Sequence, residues 1–294
     1  MNAIKTEDIE TRTNIVKIAI TGATGFIGHA VLAELSRRNI AAVACVHTGH
    51  EAFSAAGHHV VALDIHNAAN DVFIKLGRPD ILIHLAWSGL PNYRSLHHIE
   101  TELPAQYRFL SGLVKAGLPS LVVAGTCFEY GMQSGSLHED LPTRPENPYG
   151  FAKDSLRRKL EFLKAVQPFA LTWARFFYLH GKGQAENSLL PQLHRAVVAG
   201  EKVFNMSGGE QLRDYLPVEE AARLLVELAV SGRDNGVVNI SSGKPISVRR
   251  LVEGWIHDND WTISLNLGYY PYPDYEPMAF WGNDYKYNSI MQRG

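Results

Sequence analysis

The feature that most constrains this chain is a glycine triplet set between two different hydrophobic patterns. Ile15–Ile20 is a short, almost continuously apolar run, whereas Ile27–Arg38 repeats its apolar residues at helical spacing. Between them lies Thr21-Gly22-Ala23-Thr24-Gly25-Phe26-Ile27-Gly28. Such a turn needs one glycine for the bend, one for close backbone approach to a ligand and one for close packing of helix on strand. Gly22, Gly25 and Gly28 stand in that order. The helix that follows aims its unpaired N–H groups at the turn, where they suit a phosphate.

The alternation continues along the chain. Ala41–Val46, Val60–Leu63, Ile81–Leu85, Leu121–Ala124 and Leu171–Phe176 read as buried strands, and Asp71–Leu76, Leu96–Ala116 and Tyr149–Val166 as helices. Continuous apolar strands separated by helices predict an α/β fold, a Rossmann-type doubly wound parallel sheet covered on both faces. After residue 176 the pattern loosens. Leu189–Ala199, Val218–Val230 and Val248–Trp255 read as helices and Val237–Ile240 as a strand, while Leu267–Trp281 is rich in Tyr and Pro and has no period. The expected organisation is a polar tail (1–13), a dinucleotide-binding domain (14–175, with 212–245 returning to it) and a smaller C-terminal substrate-binding lobe (176–211 and 246–294).

Composition narrows the function classes. The 294 residues are 46% hydrophobic and 20% charged, enough apolar material for a sizeable core. A net charge of −2 lacks the basic excess of a nucleic-acid binder. Two cysteines make no disulfide framework, Met1 to Thr13 has no apolar leader core, and no run is apolar enough to span a bilayer. These features predict a soluble, cytoplasmic protein with no membrane or nucleic-acid partner. Of the thirteen histidines, His58-His59 and His97-His98 are adjacent pairs whose side chains diverge, and no HExxH or CxxC spacing occurs, so no metal site is expected.

The end of the second strand, Cys45-Val46-His47, lacks the acid that would hold an NAD ribose and the arginine that would hold a 2′-phosphate. His47 and Thr48 suit either cofactor, with a lean toward NADP. Asp64-Ile65 closes the third strand, where a carboxylate either accepts from an adenine amino group or simply caps a turn. Tyr149 and Lys153 form a YxxxK pair after Pro148, one helical turn apart on one face. A cation beside the phenol favours its ionised form, as a group that moves a proton requires.

Taken together, TGATGFIG, Asp64-Ile65, His84-Leu85-Ala86, Tyr149 and Lys153 resemble the extended short-chain dehydrogenases/reductases, the NAD-dependent epimerase/dehydratase family. Arg175-Phe176-Phe177, Gln211-Leu212-Arg213-Asp214 and Asn239 to Gly243 extend the resemblance over roughly Ile15 to Tyr287. It implies NAD or NADP as cofactor and a nucleotide-sugar substrate. It carries the cofactor-binding role to Gly22, Thr24, Gly25, Phe26, Ile27, His47, Asp64, Ile65, Leu85, Ala86, Trp87, Tyr149, Lys153 and Phe176. Thr126 stands four residues before Tyr130-Gly131 and becomes the third catalytic residue beside Tyr149 and Lys153. Dehydratases of the family carry Asp-Glu directly after this Thr; here Cys127 and Phe128 do not supply an acid and a base, which disfavours dehydration. Trp87, Ser88, Cys127, Phe128 and Tyr178 are expected at the substrate, and Arg213 at its diphosphate. GTCFEYG and YPYPDYEPMAFWG look like the branch acting at C4 of dTDP-linked 6-deoxy-L-hexoses, as 4-dehydrogenases or as 4-epimerases. The resemblance also implies a homodimer through the helices at Leu96–Ala116 and Tyr149–Val166, with Leu156, Leu160 and Leu163 facing either the partner or the sheet. The alternative is a dinucleotide sensor without catalysis on the same fold.

Overall fold

Seven apolar runs pair side by side as one parallel sheet. A computed structural model describes residues 16–49 and 53–292, and the polar tail expected at 1–13 lies outside them. The strands are Ile18–Thr21 (β1), Ala42–Val46 (β2), His59–Ala62 (β3), Ile81–His84 (β4), Ser120–Thr126 (β5), Ala170–Phe176 (β6) and Gly236–Ile240 (β7). Their order is β7-β6-β5-β4-β1-β2-β3. Alternate side chains enter two separate cores, as the period of a strand demands. Ile18, Ile20, Val122 and Ala174 meet the helices Phe26–Arg37 and Val218–Val230 on one face. Ala19, Leu121, Val123 and Trp173 meet Leu103–Lys115 and Pro148–Val166 on the other.

The chain winds one way from β1 to β3 and the other way from β4 to β7. Loops leaving β1 and β4 therefore diverge, and a crevice opens at the carboxyl ends of these two strands. Thr21 and His84 are register partners there, and the Thr21 hydroxyl bonds His84 Nδ1 at 2.8 Å.

Two expectations need correction, and one open alternative is decided. Leu96–Ala116 is not one α-helix: a π-helical turn, His98–Glu102, precedes an α-helix that begins at Leu103 with Pro104 in its first turn. Proline has no N–H to donate, so the regular ladder starts afresh there. Leu156, Leu160 and Leu163 are buried among the sheet's own side chains and are not available to a partner; Phe151, Phe162 and Val166 are the exposed apolar residues of that helix. The aperiodic stretch Leu267–Trp281 runs into a strand, Phe280–Gly282, that pairs in parallel with Gly135–Leu137. Two- and three-residue strands carry too few alternations to be read from sequence.

One buried carboxylate joins β5 to β6. Thr126 ends β5 and caps the 3-10 turn Cys127–Tyr130, whose third residue is Glu129. Glu129 is fully buried and accepts from the Thr126 backbone N–H (2.9 Å), Trp173 Nε1 (2.9 Å) and Arg175 Nε (2.7 Å). The Arg175 guanidinium also lies 4.5 Å from the Tyr130 ring centroid. Glu129→Ala leaves this guanidinium buried without its counter-charge, a loss of about 3–5 kcal/mol. Urea unfolding should report that loss; a variant within about 0.5 kcal/mol of wild type would show that the ion pair does not hold these strands together.

Candidate active site

The glycine loop is held where side chains would not fit. Gly22 has a φ of +72°, and a Cβ on it would lie 2.7 Å from the backbone N of Ala86. A Cβ on Gly28 would lie 2.1 Å from the Gly22 carbonyl oxygen. Gly25 caps the helix Phe26–Arg37 with no side-chain bond, and its first turn holds no acid. The amide groups at this helix start thus have neither a side-chain acceptor nor a repelling charge, which fits a dinucleotide's diphosphate.

A cleft of about 270 Å³ opens in front of this loop. Gly22, Thr24, Gly25, His47, Ile65, Leu85, Ala86 and Trp87 line it, together with Ser88, which the resemblance placed at the substrate. Phe26, Ile27, Asp64, Tyr149, Lys153 and Phe176 do not line it. Phe176 is buried in the core beneath the sheet and Ile27 packs against that core. Asp64 has both oxygens engaged, by the His66 backbone N–H at 2.9 Å and Asn67 Nδ2 at 2.7 Å. The Asn67 bond leads the causes that hold its carboxyl below the usual range. The turn-capping reading of Asp64 is the one its geometry matches.

The cleft's one fully buried carboxylate, Glu102, was missed in the sequence. It accepts from Ser88 Oγ (2.7 Å), Gln106 Nε2 (2.8 Å) and the Ser88 backbone N–H (3.2 Å), with His66 Nε2 at 2.7 Å. Burial pushes its carboxyl up, but these donors outweigh burial and hold it at about 2. Glu102 is thus an ionised anchor for the loop after β4.

Thr126, Tyr149 and Lys153 come together at the carboxyl end of β5. Asn147 Oδ1 accepts from the Gly150 N–H at 2.8 Å and starts the helix Pro148–Val166, whose first turns carry the Tyr and the Lys. All three side chains are buried. Lys153 Nζ donates to the Ala124 carbonyl at 3.0 Å, one strand position pair before Thr126. Burial lowers its ammonium to about 7, against the pull of Glu129 and Glu102. Burial also drives the Tyr149 phenol well above its usual range, helped by Tyr93, Glu129 and Cys127, while a hydrogen bond with Thr126 works the other way. The sequence pattern predicted a phenol lowered by its lysine; within the protein, desolvation of both groups outweighs that attraction.

Aromatic rings close around the phenol. Trp87, Tyr93, His98 and Phe128 have ring centroids 5.9, 5.5, 5.3 and 6.4 Å from that of Tyr149. An open cavity of about 520 Å³ adjoins Tyr93, lined also by Asn92, Arg94, Glu146, Asn147 and Tyr275. Cys127 is buried in an apolar cluster with Tyr130, Leu137, Phe177 and Phe280.

Arg213 is buried and pairs with Glu276 at 3.0 Å rather than with Asp214. It also donates to the carbonyls of Leu212 and Met278. Tyr178 donates to the other Glu276 oxygen at 2.5 Å. Asp214 instead accepts from the backbone N–H groups of Ser242 and Gly243. Glu276 had no signal in the sequence, because its partner lies 63 positions away. The same holds for Tyr93 and His98, which reach Tyr149 only through the loop after β4.

Comparison with known proteins identifies the family and the fold. The family model for the NAD dependent epimerase/dehydratase family matches residues 18–241. A dTDP-6-deoxy-L-talose 4-dehydrogenase (NAD(+)) from Aggregatibacter actinomycetemcomitans is 30% identical over 270 residues, covering 91% of this chain and 99% of that protein. A GDP-6-deoxy-D-talose 4-dehydrogenase from the same species is 25% identical over 293 residues, covering 94% of each chain. The solved structure of MoeE5 in complex with UDP-glucuronic acid and NAD matches with a TM-score of 0.79 at 26% identity, covering 94% of this chain and 92% of that one. With a glycine cradle at a sheet crossover, a YxxxK helix beside it and a family match across most of its length, this chain belongs to the NAD-dependent epimerase/dehydratase family.

Proposed function

We propose that the protein oxidises or reduces C4 of a nucleotide-linked 6-deoxyhexose, with NAD as its hydride carrier and a dTDP-sugar as its substrate. The observation that carries the chemistry is the meeting of Thr126, Tyr149 and Lys153 in a dry pocket beside the glycine cradle. The relative that supports the substrate is the dTDP-6-deoxy-L-talose 4-dehydrogenase, aligned over almost the full length of both chains. The family description and that relative's cofactor speak for NAD, against the lean toward NADP drawn from the lack of an acid at the end of the second strand. A pure sensor gives no reason to bury a lysine and a tyrosine together.

When bound, the dinucleotide accepts the hydride that leaves the sugar's C4, or returns one to it. Tyr149 in its phenolate form takes the proton of the C4 hydroxyl as the C–O bond becomes a carbonyl, and gives it back in reduction. Lys153 as ammonium stabilises that phenolate, and Thr126 donates to the C4 oxygen. Cys127 and Phe128 provide no acid–base pair for loss of water. The wall of the adjoining cavity combines Tyr93 and Tyr275 with amide and charged groups, a mixture suited to sugar hydroxyls and ring faces.

The direct test is incubation with dTDP-6-deoxy-L-talose or dTDP-L-rhamnose and either NAD or NADP. Accumulation of reduced nicotinamide identifies a dehydrogenase. Interconversion of the two sugars with no net reduction identifies an epimerase. No turnover of either sugar with either cofactor would reject the dTDP-sugar substrate.

Tyr149→Phe removes the proton path and keeps the ring, so kcat should fall about 10²–10⁴-fold. Thr126→Ala should cost less, because it removes one neutral hydrogen bond. Turnover of Tyr149→Phe near the wild-type rate would reject the mechanism.

Lys153 also predicts a pH dependence of stability. Its folded pKa, about 7, lies below the ordinary lysine value of 10.5. The unfolded chain therefore binds more protons across that window, and stability rises with pH through it. Between about pH 7 and 9 this contributes on the order of 2 kcal/mol. The rise should be missing in Lys153→Met, as measured by urea unfolding at the two pH values; an equal rise in both proteins would show that Lys153 is protonated throughout.

A further inference from the structure

The position of the indole of Trp87 is fixed by His98, whose ring also packs edge-on against that of Tyr149. Trp87 Nε1 is only a donor, so His98 Nδ1, 3.1 Å away, is an acceptor. His98 Nε2 faces the Asn92 carbonyl at 2.9 Å and must donate to it. These two bonds select one neutral tautomer of a fully buried ring. The indole held in this way has its centroid 3.9 Å from Lys153 Nζ.

We propose that His98 is a positioning residue for the reaction: it locks Trp87 with its face over the Lys153 ammonium, and so keeps Tyr149 able to ionise. This rests on the acid–base roles given above to Tyr149 and Lys153. The physical reason for an aromatic ring here lies in the charges around the pair. Glu129 and Glu102 both favour the Lys153 cation, but Glu129 also opposes the Tyr149 phenolate. A further carboxylate would repeat that conflict. The face of an indole attracts a cation through its quadrupole and adds no net negative charge beside the phenol.

The remaining neighbours leave His98 neutral. Burial and the nearby His97 and Lys153 disfavour its cation, opposed by the Asn92 bond and by Glu102. A protonated His98 would turn an N–H toward the Trp87 N–H and lose the lock. The buried His84 is held neutral by desolvation, with Lys153 adding to the effect, its imidazole lowered to about 3. Tyr93 and Cys127 complete the groups facing Tyr149, and both oppose its ionisation.

The test follows ionisation of Tyr149 by the NMR signal of its ¹³C-labelled ring in the complex with NAD⁺, assigned with Tyr149→Phe, so that no sugar is needed. In His98→Phe the ring stays and both hydrogen bonds go. The Tyr149 midpoint should rise by about half to one pH unit, about three- to tenfold less phenolate at a given pH. His98→Gln, which keeps an acceptor and a donor, should bring the midpoint back toward wild type. Lys153→Met should raise it by at least as much as His98→Phe. An unmoved midpoint in His98→Phe, where Lys153→Met raises it, would overturn the role of His98 alone. An unmoved midpoint in Lys153→Met would overturn the acid–base reading, and His98's role with it. The wild-type imidazole ¹⁵N signals give a reading without any variant: His98 should carry its proton on Nε2 at neutral pH, and a proton on Nδ1 or a charged ring would also overturn the proposal.

Discussion

The buried Glu129 carboxylate is the point where fold and chemistry depend on the same atoms. It neutralises Arg175 and takes the indole N–H of Trp173, both on the neighbouring strand, and closes the turn that Thr126 begins. Thr126 therefore ends β5 in a fixed direction and does not fray into solvent. The same charge reaches Lys153 and opposes the desolvation that lowers its ammonium. An ion pair this deep adds little stability compared with apolar packing, but breaking one side of it is severe. Its value here is specificity: it sets the direction of the strand end from which the substrate oxygen would be held.

Around that node the site is dry, and dryness acts in two directions. It makes each charge more effective, since fields are less screened away from water. It also penalises each charged form, which is why Lys153 falls to about 7 and the Tyr149 phenol rises. Bound nicotinamide in its oxidised form would add a second positive charge near the phenol besides that of Lys153. On the cofactor side Glu102 meets the cost of burial in another way, with several donors converging on it from the loop after β4 and the helix beside it. The π-helical turn His98–Glu102 aims both His98 and Glu102 inward within a few residues. Irregular helical turns of this kind often occur at functional sites.

Much of this was legible in the sequence because its causes are local. The glycine triplet is required by one turn, the apolar runs by burial on two faces, and Tyr149 and Lys153 by a single helical repeat. Each signal spans fewer than ten residues. Asp64 was legible only as two alternatives, and the hydrogen bonds with His66 and Asn67 match the turn-capping one. Arg213 was found as a charge, but its partner was not, because Glu276 sits in an aperiodic segment whose path depends on strand Phe280–Gly282 joining Gly135–Leu137.

The sequence by itself determined the doubly wound sheet, the position of its crevice and the pairing of Tyr149 with Lys153, since hydrophobic period and backbone sterics act over one or two turns of chain, while Thr126 came from the family resemblance. Only the tertiary structure decided which charges those residues feel. Glu129, Glu102, His98 and Trp87 come from three separate loops and helices, and their effect on Lys153 and Tyr149 depends on distance and on exclusion of water. Both quantities exist only once the chain has closed around them, because electrostatic energy in a protein is set by neighbours in space and by the dielectric they create.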